Sequence, residues 1–225
     1  MGYSTTFENS LKLSKELTVK QKEYINLFSN TRRMKRDVNK LMELYGGKFG
    51  YPQSESNLLP TSENKGVGDM VQNPVTGEFE EVNQASAEKI YGKDGEFFVM
   101  DDGNMGQRGD ASVIDNNTPP GQIGYNDKMD FNDRWNENER RSKEGECQPG
   151  LWCQWVINDK NELEWDGGEK FYSYVEWLKY LIKNFFQPWG VLLNGEIEWE
   201  DSSDKGKIVV TNNEVKVLEG TIVYQ

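Results

Sequence analysis

The sequence predicts an α+β fold: an antiparallel sheet with two main helices packed on one face, interrupted by a long irregular acidic middle segment. Three observations predict it. Residues 165–186 (WDGGEKFYSYVEWLKYLIKNFF) repeat apolar and aromatic side chains at three- and four-residue spacing, which makes one helical stripe. A second helical pattern lies near the N-terminus, and short alternating segments flank both. Turn residues then punctuate residues 191–218 as in a meander. The order strand, helix, strand, strand, helix, strand is the split βαβ pattern of ferredoxin-like sheets.

Residues 5–17 read as extended, with Leu11 and Leu13 in alternation and a turn near Asn9-Ser10. Thr18 then offers an N-cap and Gln21 completes a capping box. Tyr24, Leu27, Phe28, Met34, Val38, Leu41 and Tyr45 mark the buried side of this helix, and Gly46-Gly47 ends it. Ser29-Asn30-Thr31 are weak helix formers and mark a break point.

Residues 46–149 are rich in Gly, Asn, Asp, Ser and Pro and lack sustained periodicity. They are expected as an irregular insertion or cover, partly disordered or held by local pieces: a helix at 85–91, a strand at 96–100 and a polar helix at 130–143. Residues 1–45 and 150–225 together are expected to form the α+β core.

Residues 151–158 alternate as a strand, with Leu151, Cys153, Trp155 and Ile157 on one face and Trp152, Gln154 and Val156 on the other. Residues 162–165 are its hairpin partner. Asp166 and Glu169 read as a capping box for the aromatic helix, which Pro188 stops and Gly190 reverses. Strands follow at 191–193, 196–200, 207–211 and 214–218, with Asn194-Gly195 and Asn212-Asn213 as turn signals. A true hairpin at Asn194-Gly195 leaves the fourth strand of a split βαβ sheet very short.

Composition excludes several kinds of chemistry. The 225 residues contain no histidine and only two cysteines. Ser-His-Asp and Cys-His nucleophilic chemistry is therefore absent, and a zinc site within one chain is implausible. No cofactor is expected, and the inventory leans away from an enzyme. No run approaches a membrane span and no signal-peptide pattern opens the chain, so a soluble cytoplasmic protein is expected. Cys147 and Cys153 are expected as free thiols.

Net charge is −12, unevenly placed. Residues 1–50 balance at +5, residues 51–146 at −11 and residues 147–225 at −6. The basic concentration is 32–40, where a continuous helix would line Arg33, Arg36 and Lys40 along one ridge. With Arg32, this ridge offers guanidinium groups to phosphates or to an acidic partner. The plainer alternative is pairing with the chain's own acids, and nucleic acid is not expected except through this segment.

Trp152, Gln154 and Trp155 are pocket candidates, since a Trp-Gln face can stack and orient a planar ligand. The alternative is that the middle segment covers them. Asp110 and Asp115 are a carboxylate pair that the fold could bring to the same place, although acidic pairs are abundant and mostly solvated. Gly103 and Gly106 lack the context of a phosphate loop.

Five stretches resemble an uncharacterised family of bacteriophage and bacterial proteins: GYSTTF at 2–7, TRRMKRD at 31–37, DASVIDNNTPP at 110–120, PGLWCQW at 149–155 and WDGGEKFYSYVEWLKYLI at 165–182. The resemblance covers about half the chain and brings no assigned activity. Its relatives run from the NNTPP segment almost directly into PGLWCQW, so 121–148 and 52–84 look like additions. With the acidic charge, it implies an accessory protein that binds a host macromolecule, most directly a host protein. A small-molecule or nucleotide ligand at the Arg and Trp-Gln residues is the alternative, and RNA binding by the basic helix a third.

Overall fold

The computed structural model describes residues 5–33, 36–45, 70–72, 79–81, 91–92, 95–99, 111–113 and 148–220. Among these, the main sheet contains β1 (Thr6–Glu8), β2 (Leu11–Leu13), β5 (Trp155–Ile157), β6 (Glu162–Trp165), β7 (Leu193–Glu200), β8 (Lys205–Thr211) and β9 (Glu214–Gly220). Its order is β5-β6-β2-β7-β8-β9, with β1 also on β7, and every pairing is antiparallel. The helices are α1 (Val19–Asn30), α2 (Val38–Tyr45) and α3 (Tyr174–Leu181). A separate hairpin joins β3 (Met70–Gln72) to β4 (Phe79–Glu81).

The sheet is apolar on one face because its strands alternate. Leu11, Trp155, Ile157, Leu163, Leu193, Ile197, Trp199, Ile208 and Val210 are buried, while Lys12, Glu196 and Glu198 between them are exposed. Tyr24, Ile25 and Phe28 of α1 and Trp177, Leu178, Tyr180 and Leu181 of α3 join the same core cluster. Both helices therefore cover that one face. Phe28 ties them together, with its ring centre 6.1 Å from Trp177, 6.0 Å from Tyr180 and 5.0 Å from Phe185. Phe97 and Val99 of the middle segment also enter this core, so part of that segment is interior rather than a cover.

The expected caps fare differently. At α1 the capping box forms: Gln21 N–H donates to Thr18 Oγ1 (3.2 Å) and Thr18 N–H to Gln21 Oε1 (3.0 Å). The helix ends at Asn30, at the expected break. Thr31 turns its hydroxyl back to Leu27 O (2.7 Å) and Arg33 N–H leaves to pair with Leu151 O (2.8 Å). The continuous basic ridge of Arg33, Arg36 and Lys40 therefore does not form.

At the second helix, Asp166 does not cap. Its Oδ1 accepts Gly168 N–H (2.7 Å) in a local turn, and positive φ at Gly167 (83°), Lys170 (60°) and Ser173 (53°) keeps the chain out of a helix until Tyr174. The helix then continues from α3 through a wider π turn, Ile182–Phe186, as the chain approaches Pro188. Gly190 reverses it at φ 66°.

Asn194-Gly195 is not a hairpin either. It lies inside β7, and β1 and β2 keep one register along it, from Thr6↔Glu200 to Leu13↔Leu193. Gly195 takes φ 139°, and a Cβ there would sit 3.2 Å from Ser10 O. The segment at 95–99 is a turn rather than a strand, with Phe98 N–H on Gly95 O (2.9 Å). The expected helix at 130–143 lies outside the described residues, as does 85–90.

The β8–β9 hairpin turns through Asn212 (φ 49°) and Asn213 (φ 73°), the two positive φ values of a type I′ turn. Within it, a Cβ on Gly206 would approach Leu218 O of β9 and reach 2.7 Å from the Trp199 ring. Gly206→Ala is expected to cost about 1–3 kcal/mol by overpacking, read as a lowered urea midpoint. An unchanged midpoint would mean that the hairpin separates freely.

Candidate functional site

The three arginines expected to face a partner are 6% (Arg32), 1% (Arg33) and 1% (Arg36) exposed. Arg33 donates from Nε to Thr31 O (3.1 Å), from Nη1 to Glu96 O (3.2 Å) and from Nη2 to Phe98 O. Its guanidinium lies 4.3 Å from the Phe28 ring centre. Arg36 donates to Ser112 Oγ (2.9 Å) and lies 4.8 Å from the Phe98 ring. Arg36 also bridges Val113 through the main chain, and Asp37 N–H donates to Ser112 O (2.7 Å). These groups bind the middle segment to the core. Burial lowers the Arg33 pKa to about 10, still protonated at neutral pH.

Tyr180 extends the same buried polar group. Its hydroxyl donates to Glu96 Oε1 (2.8 Å) and accepts from Gln148 Nε2 (3.3 Å). Burial, and then the Glu96 charge, holds its phenol pKa well above the ordinary value.

Arg32 and Trp152 do meet, with the guanidinium 5.6 Å from the ring centre. Gln154 and Trp155 are used internally. Gln154 donates to Glu169 O (3.0 Å) and accepts Trp165 Nε1–H (3.0 Å), and Trp155 Nε1 donates to Tyr174 O (2.8 Å). Asp110 and Asp115 lie outside the described residues. No group of metal-ligating side chains converges among the described residues, and no described helix is long and apolar enough to cross a membrane.

Cys153 is a free, buried thiol, pushed up to about 12 by burial. It is an inert core residue rather than a nucleophile. Because the folded pKa is raised above the ordinary 9.0, the protonated thiol favours the fold below pH 9.0, and that contribution is lost as pH climbs toward 12. Tyr180 adds to this loss above pH 10, whereas the lowered Arg33 pKa acts the other way from about 10 upward. Between pH 9 and 10, Cys153→Ala is therefore expected to flatten the fall in stability, by at most about 1.4 kcal/mol per pH unit. Urea midpoints through that interval check it; equal slopes would mean the thiol does not titrate with unfolding.

Among the described residues, a groove opens on β1, β7, β8 and β9. It measures ≈ 510 Å³ and is lined in part by Glu8, Glu198, Glu200, Glu219, Lys205 and Lys207. Lys207 Nζ lies 2.9 Å from Glu198 and 3.3 Å from Glu196, whose hydrogen bonds, Glu198 first, raise its pKa. Glu8, Glu200 and Glu219 have no ion-pair partner among the described residues. Trp199 also lines the groove, and its buried indole N–H has no acceptor among the described residues. The alternation of Glu196, Glu198 and Glu200 was legible as one strand face, but nothing local said that Glu8 would join it. Neither a family model, nor a curated protein, nor a solved structure matches the chain.

Proposed function

We propose that the chain is a non-catalytic cytoplasmic accessory protein of phage type that acts by binding a host protein, as an inhibitor or an adaptor. One observation carries the reading. Of the residues the sequence offers to a small-ligand site, Arg33, Arg36, Gln154 and Trp155 are committed to the interior, while among the described residues an acidic groove is open. A net charge of −12 favours a basic partner surface, such as one that otherwise holds nucleic acid.

The strand order supports the finer fold assignment as well. Taking β2, β5, β6 and β7 as first to fourth, the order β5-β6-β2-β7 is that of a split βαβ sheet, to which the β8–β9 hairpin adds at the fourth strand.

The test is capture from nuclease-treated host-like lysate by the tagged full chain, read by quantitative mass spectrometry. One protein recovered in stoichiometric amount, and lost with the Glu198→Lys, Glu200→Lys variant, is expected. A bait that returns no protein but carries a metabolite in native mass spectrometry would overturn the reading.

A further inference from the structure

The two ends of the sheet are finished differently. At the β5 end, α1 covers the edge. The Asn26 amide accepts Ile157 N–H (2.8 Å) and donates to Ile157 O (3.0 Å), as a neighbouring strand would, and Ser29 Oγ donates to Trp155 O (2.5 Å). The main-chain groups that invite another strand are thus occupied. At the other end, β9 closes the strand order of the described residues with 7 residues, against 3 in β5.

The main-chain pattern of β9 follows from its turn. A two-residue type I′ loop makes Thr211 and Glu214 a hydrogen-bonded pair, and the alternation continues along the register. Lys216, Leu218 and Gly220 therefore turn their N–H and C=O groups to β8. Val215, Val217 and Glu219 turn theirs outward. The side chains here are accessible on both faces of the sheet, Val217 being 43% and Leu218 54% exposed. The edge carries Glu214 and Glu219 against a single Lys216, and Leu218, Glu219 and Gly220 continue into the acidic groove.

Resting on the binding function proposed above, we propose that β9 is the docking edge, and that the partner supplies an extended basic segment that pairs with it as a further strand. Main-chain pairing provides the adhesion, Val217 and Leu218 give an apolar contact on each face, and the glutamates select lysine and arginine. A second copy of this chain is disfavoured as occupant, because each copy brings a charge of −12 and the same acidic edge.

The probe is a synthetic peptide of alternating valine and lysine, as long as β9, offered to the full chain and followed by amide hydrogen exchange and titration. Slowed exchange at Val215, Val217 and Glu219, with affinity that falls as salt rises, is expected. Val217→Pro removes an outward N–H and leaves the bonds to β8 intact. It should weaken binding about tenfold while circular dichroism stays unchanged. A glutamate version of the peptide should not bind.

Equal binding by a peptide methylated on alternate main-chain nitrogens would overturn strand pairing. So would protection that grows with protein concentration in the absence of peptide, which would assign the edge to a second copy. If the lysate partner is retained in full by Val217→Pro, the edge is wrong but the binding function stands. If the wild type captures no partner, the binding function itself fails.

Discussion

Replacing Arg33 with methionine is expected to lower the unfolding free energy by about 3–5 kcal/mol. Its guanidinium, 1% exposed, joins three main-chain carbonyls, those of Thr31, Glu96 and Phe98, from two distant parts of the chain. An apolar replacement of similar length cannot donate to them. Each buried carbonyl left without a donor costs about 1–3 kcal/mol, although water recovers part of that. Arg33→Lys should restore only a fraction, since one ammonium cannot span a planar fork of acceptors. Chemical denaturation of both variants checks this. Wild-type stability in Arg33→Met would mean that the middle segment is held by its apolar contacts, Phe97 and Val99, and not by this side chain.

Trp155→Ala is expected to cost about 3–5 kcal/mol through the cavity it opens under the sheet. The ring is fully buried between Phe7 and Phe171, at centroid distances of 5.5 Å and 5.2 Å, and its N–H reaches Tyr174 O near the start of α3. Trp155→Phe keeps most of the ring and loses that hydrogen bond, at about 1 kcal/mol beyond the change in size. The sequence offered Trp155 as a wall of a ligand pocket. The expected result for Trp155→Phe is lowered thermal stability with capture of the partner unchanged. Weakened capture at full stability would return Trp155 to a binding role.

The Arg and Trp positions show where reading the chain stops. Alternation is local and the strand period is two residues, so the sequence puts Trp155 on the strand and face it occupies. Its role is not local, since a buried tryptophan and a pocket tryptophan have the same neighbours in sequence. At Arg33 the local signal is charge, and charge implies exposure unless partners are supplied. Those partners are carbonyl oxygens, which every residue carries and which leave no mark in the sequence.

The capping boxes separate the same two levels. Thr18 and Gln21 cap α1 as written, because each side chain bonds the other's main-chain N–H within a single turn. Asp166 and Glu169 have the same spacing but not the same surroundings. Gln154, from the neighbouring strand, donates to Glu169 O, and Trp165 is bonded to the same amide. Those contacts hold residues 166–169 as a turn and delay α3 to Tyr174. Asn194-Gly195 is similar: Asn194 Oδ1 accepts Asn212 N–H (2.9 Å) across the sheet, and Gly195 makes room for Ser10 O.

By itself, the sequence determined the α+β class, the buried faces of the strands, the cap of α1 and the turn at Asn212-Asn213. These depend on periodicity and on backbone preferences within a few residues. Only the tertiary structure decided that the arginines face inward, that α3 starts late, that Asn26 closes one edge of the sheet and that β9 ends the strand order of the described residues at the other. Each of those is a hydrogen-bond account settled between segments distant in the chain, and its partners are chosen by the fold.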